Sequence, residues 1–103
     1  MEIRGHNGVV AVDGTTVTLT ELGGNVVEFP AECVHAAWVD PPGPGLRALS
    51  FTVVGGGTIT THRMVFSWRC ADQLQALRDR VMTAHLYGRR AGMRVSTLPS
   101  ELR

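Results

Sequence analysis

Asp72-Gln73-Leu74-Gln75-Ala76-Leu77-Arg78-Asp79-Arg80-Val81-Met82-Thr83-Ala84 is the stretch on which the fold turns. Leu74, Leu77 and Val81 recur at three- and four-residue spacing and Ala84 continues the stripe, which marks a helix with one apolar face. Arg78, Asp79 and Arg80 fall largely off that stripe. Asp72 is placed to cap the free N–H groups of the first turn, and Gln75 three residues on completes a capping box. Gly88 fits the stop position, where a left-handed residue closes the last turn. The spacing therefore predicts a helix over 72–86. A lone helix of that length is marginal in water, so its stripe must dock. Burying the three large side chains contributes roughly 1.5–3 kcal/mol each before entropy is subtracted.

What the helix docks on is written upstream. Gly8–Asp13 (GVVAVD) is a short apolar run, and Asp13-Gly14 after it is a two-residue hairpin signal in which both positions can take positive φ. Thr15–Leu22 alternates, with Val17 and Leu19 on one face and Thr16, Thr18 and Thr20 on the other. Gly23-Gly24-Asn25 turns the chain into Val26–Phe29, a strand ended by Pro30. Val34–Val39 reads as the next strand, with Val34, Ala36 and Trp38 sharing a face. Pro41-Pro42-Gly43-Pro44-Gly45 is a stiff strand connection. Leu46–Val54 then aligns Leu49, Phe51 and Val53, and Gly55-Gly56-Gly57 turns into Thr58–Thr61 and His62–Trp68, one long bent strand or a pair, where Met64, Phe66 and Trp68 alternate. The expectation is a mainly β domain of about six or seven antiparallel strands in a barrel or sandwich, capped by one C-terminal helix.

Size and charge bound the function. At 103 residues there is apolar surface for one core. We assign the domain to 1–88 and a basic tail to 89–103, where Arg89, Arg90, Arg94 and Arg103 stand against Glu101. A net charge of +1 excludes strong global attraction to nucleic acid. All ten basic residues are arginine, which a coding bias explains. No apolar run approaches the roughly 20 residues that span a bilayer, and Met1–His6 lacks the pattern of a signal peptide, so the expected location is the cytoplasm. Cys33 and Cys70 are expected to be reduced, buried thiols there.

The order of elements, and several motifs within it, resemble a family of small actinobacterial pleckstrin-homology-like (PH-like) domains of unknown function, often found beside short oligomerisation modules. The matching residues are Gly5-His6-Asn7-Gly8 running into Asp13-Gly14, Phe29-Pro30 leading to Val34–Trp38, Val65-Phe66, and Leu74-Gln75-Ala76-Leu77-Arg78-Asp79. They span 5–86. The Gly55–His62 stretch departs from the pattern, and no oligomerisation module is recognisable after Gly88. The resemblance implies a PH-like scaffold that binds proteins, peptides or lipids and often self-assembles. It implies no activity.

Candidate chemistry is sparse. Cys33 and His35 are two apart on a strand and could share an ion, but His62 and Cys70 would have to converge from a distant strand end. No C-x-x-C pair is present. Ser50 and Ser67 lie in strands without an elbow motif, and Gly55-Gly56-Gly57 lacks the lysine and helix start of a phosphate loop. The Asp13-Gly14 loop is short and acidic, unlike the basic loop of phosphoinositide-binding PH domains. The expectation is therefore no enzyme, no metal and no cofactor. The expected function is a non-catalytic binding module working through protein contacts, self-association included. Its candidate contact residues are Trp38, Pro41, Pro42, Arg89, Arg90, Arg94 and Leu98. The alternative is an adaptor for anionic lipid or nucleic acid through the tail arginines.

Overall fold

The computed structural model describes the backbone of residues 1–101 and the side chains of residues 1–86. Seven strands form two antiparallel sheets. The first sheet holds β1 (Glu2–Arg4), β2 (Gly8–Asp13), β3 (Thr16–Glu21) and β4 (Val26–Pro30) in sequence order. The second holds β5 (Val34–Asp40), β6 (Leu46–Gly55) and β7 (Thr58–Ser67), also in sequence order. A 3-10 turn, Ala31–Cys33, carries the chain from one sheet to the other. A second, Trp68–Cys70, leads into the single helix α1 (Ala71–Glu101).

The core is the set of residues that alternation selects. Val10, Val12, Val17, Leu19 and Phe29 face inward from the first sheet, and Leu49, Phe51, Met64 and Phe66 from the second. Phe29 meets Phe51 edge-on, with ring centroids 5.8 Å apart. On the other side, Leu74, Leu77 and Val81 are fully buried in the same cluster, so the stripe does dock. α1 lies chiefly on β5 and the Ala31–Cys33 turn.

Two polar contacts fix its seat. Arg78 Nε donates to the Ala37 carbonyl at 2.9 Å, and His85 Nδ1 lies 3.2 Å from the Ala31 carbonyl. Arg78→Met keeps the stem and removes the donor. We expect it to cost about 1 kcal/mol, since the guanidinium is partly solvated. A fall in the urea midpoint at unchanged slope would show it.

The sheets are separate ladders rather than one closed barrel, and they are stitched together at one corner. Here His6 N donates to the Val65 carbonyl at 2.8 Å, and Val65 N donates to Asn7 Oδ1 at 3.0 Å. The Asn7 carbonyl also accepts from Leu22 N at 3.1 Å. Gly5 and Gly8 flank this corner because nothing larger fits. A Cβ at Gly5 would lie 2.6 Å from the Val65 oxygen and 2.7 Å from the Phe66 ring.

Several expectations need correction. β1 adds a strand before Gly8. The first hairpin pairs Asp13 with Thr16, so its turn residues are Gly14 and Thr15 rather than Asp13 and Gly14. Only Gly14 takes positive φ there (60°). A register shift between Val34 and Ala36 breaks the assumed parity of β5. Val34 and Ala37 are therefore buried, while Trp38 faces outward. β7 is one strand ending at Ser67, so Trp68 falls in the 3-10 turn and is 54% exposed. The Ser67 hydroxyl accepts from Arg69 N and caps that turn. α1 begins at Ala71, which puts Asp72 inside its first turn. The helix also does not stop at Gly88 but continues to Glu101, because glycine in a helix interior costs only about 1 kcal/mol relative to alanine.

Candidate functional site

The outer face of the second sheet is built on small residues. Ala48 and Ser50 point away from the core on β6, yet both are buried. Their cross-strand neighbours explain this. Trp38 and Arg63 stand on either side of Ser50, and Asp40 and Val65 on either side of Ala48. Larger side chains on β5 and β7 thus close over a shallow central strand. Arg63 and Asp40 reach each other at 3.7 Å, an exposed pair of small energetic value. Toward the hairpin tip, the same face carries the Thr52–Thr61 pair and then the Val54–Ile59 pair. Trp38, Val54 and Ile59 are 41, 42 and 74% exposed. Three large apolar side chains therefore lie on one solvent-facing side of one sheet, where alternation would place polar groups.

Beside this face runs the free edge of β7. Val65 directs its main-chain groups away from β6, toward His6 and Asn7. The β6–β7 register is unbroken, so Ile59, Thr61 and Arg63 direct theirs the same way. That edge borders a cleft of about 460 Å³ between Thr61–Met64 and the β3–β4 turn, lined also by Asn7, Leu19, Glu21 and Val27. His62 lines the cleft and stacks on Phe29, with centroids 5.5 Å apart at an interplanar angle of 12°.

The sequence candidates are not brought together. Trp38 lies on the outer face described above. Pro41 and Pro42 are exposed in the β5–β6 connection, at the opposite end of the sheet from the hairpin tip. Trp68 stands at that proline end, with its N–H bonded to the Gly45 carbonyl at 3.0 Å and Arg69 over its ring at 5.7 Å. The side chains of Arg89, Arg90, Arg94 and Leu98 lie outside the described residues. Cys33 and Cys70 are free, as expected, but only half-buried rather than buried, because each lies in a 3-10 turn at the edge of the core. Among the described residues no group of three or more His, Cys, Asp or Glu side chains could hold a metal ion. Among them, too, no helix is long and apolar enough to cross a membrane.

Val54, Ile59 and Thr61 were missed as candidates. Their signal is the run Val53–Thr61, which contains no charge and no proline although it ends a hairpin. No protein-family model matches the chain, and no curated protein matches it.

Proposed function

We propose that this chain is a non-catalytic PH-like binding module that works through protein contacts made by its second sheet. Two stacked antiparallel sheets of four and three strands followed by one helix support the PH-like reading. The exposure of Trp38, Val54 and Ile59 on one outward sheet face carries the functional reading. Exposed aromatic and branched side chains are frequent anchors of protein interfaces. Thr52 and Thr61 between them and the Arg63–Asp40 pair beside Trp38 supply polar groups on the same face. Ser50 is covered by its neighbours and the Ser67 hydroxyl caps a turn, which fits this reading.

The test is native mass spectrometry of the full chain purified from its own host, beside a Trp38→Ala/Ile59→Glu variant. Wild type is expected to retain protein in complexes that the variant loses by tenfold or more, a loss of at least about 1.4 kcal/mol. Both changed positions are exposed, so the variant should keep its melting temperature within about 5 °C. Complexes that survive the double change, or a retained small molecule in place of protein, would overturn the reading.

A further inference from the structure

Each sheet has two edges, and three of these four edges are guarded. β1 is three residues long and presents Glu2 and Arg4, and β4 carries Glu28 and ends in Pro30. β5 is covered by α1, and Arg78 occupies its Ala37 carbonyl. β7 carries one charge on its free edge, Arg63, toward the end away from the hairpin tip. From Thr58 to Thr61 its edge is uncharged, exposed, regular and free of proline. An edge of that kind is a template for another strand.

The geometry points to a second copy of this chain as the occupant, with β7 pairing antiparallel to β7 about a two-fold axis through Thr61. This deepens the protein-contact reading and rests on it. The free stretch is bounded at one end by the Gly56-Gly57 turn, where both residues have positive φ, and at the other by Val65, whose groups are already taken. Its midpoint between Thr58 and Met64 is Thr61, one of the residues whose main-chain groups point outward. A two-fold pairing through a hydrogen-bonded pair needs such a residue at its centre.

With Thr61 facing Thr61 of the second copy, Ile59 faces Arg63 and Arg63 faces Ile59. Every outward N–H and C=O from Ile59 to Arg63 then finds a partner. The side chains agree as well. Threonine opposite threonine is a favourable cross-strand pair, and the arginine stem covers the isoleucine. The arginines do not face each other. The outer faces would fuse into one six-stranded sheet in the order β5-β6-β7-β7-β6-β5, with Ile59 covered at its centre. The cleft between Thr61–Met64 and the β3–β4 turn borders this edge.

Because Thr61 would face its own copy, one position tests the pairing. Sedimentation velocity over a concentration series, on the full chain, should show a dimer for wild type. Thr61→Lys and Thr61→Asp each place like charges opposite one another and should weaken it about tenfold. Mixing the two variants should restore a dimer that contains one of each. In hydrogen exchange, the Ile59, Thr61 and Arg63 amides should slow as wild type dimerises, while Thr60 and His62, already bonded to β6, should not change.

A wild type that remains monomeric to millimolar concentration overturns the inference. So does a dimer equally tight in both single variants, which would place self-association on another surface. Either result leaves the protein-contact reading standing if the Trp38→Ala/Ile59→Glu variant still loses its complexes.

Discussion

Leu77→Ala should lower the stability of this domain by about 3–5 kcal/mol, enough to bring it near the end of its stability range. Leu77 is fully buried in the single core cluster, between Leu74 and Val81 on the helix stripe. Truncation removes the transfer energy of its methyl groups and leaves a cavity that rigid strands on the far side cannot fill. The helix cannot compensate, because alanine's better propensity gives back only a few tenths of a kcal/mol. In a domain of this size the loss corresponds to a fall in Tm of roughly 12–40 °C. Calorimetry on the full chain measures it. A fall below about 5 °C would mean that the helix is dispensable to the core. Ala76→Ser, on the exposed side of the same helix, is the control and should change little.

The docking of the helix is legible in the sequence, because three large apolar residues at helical spacing form a stripe that holds a helix only when it is buried. The β alternation was equally readable where strands were regular. Val17 and Leu19, and Leu49, Phe51 and Val53, turn inward as their parity requires. Parity fails wherever a single residue is added or a strand stops. The irregularity after Val34 takes Trp38 off the face that Val34 occupies, and the end of β7 at Ser67 takes Trp68 out of the alternation with Met64 and Phe66. Nothing in composition announces a one-residue shift, yet it decides whether a tryptophan is core or contact. β1 was invisible for a different reason. With Ile3 alone between Glu2 and Arg4 there is no period to detect, and the strand exists only because β2 offers it a ladder.

The candidate site was harder still, because an edge is a property of the assembled sheet. The run Thr58–Thr61 reads as strand from its branched residues, but no local rule says that β7 lacks a second neighbour. That fact follows from sheet order and from where Asn7 happens to bind. The Asn7 side chain accepts from the Val65 N–H and the His6 N–H donates to the Val65 carbonyl, so the β7 edge is free only on the hairpin side of that point. A polar residue in a Gly-x-x-Gly turn thus sets the limit of a surface more than fifty residues away in sequence.

The same turn gives the second large effect. Gly8→Ala should destabilise the domain by about 3 kcal/mol or more, well beyond an ordinary glycine substitution. Two costs act together. Gly8 has φ 155°, a conformation that L side chains rarely adopt. Its Cβ would also be driven into the Thr20 carbonyl oxygen and to 2.8 Å from the Met64 methyl. Met64 can swing its terminal group aside, but the carbonyl belongs to the β2–β3 ladder and cannot. The strands would have to separate where the first sheet meets β7, loosening the His6 and Asn7 bonds to Val65. Gly14→Ala separates the two costs, since a Cβ there meets nothing within 4 Å although φ is 60°. It should cost only about 1–2 kcal/mol. Urea unfolding of both variants gives the magnitudes, and hydrogen exchange gives the location. In the Gly8 variant the Val65 amide should lose protection ahead of the Leu49–Phe51 core strand, because its acceptor, Asn7 Oδ1, sits one residue from the strained glycine. Equal costs at Gly8 and Gly14 would show that conformation alone, and not the close approach of the two sheets, fixes glycine at this corner.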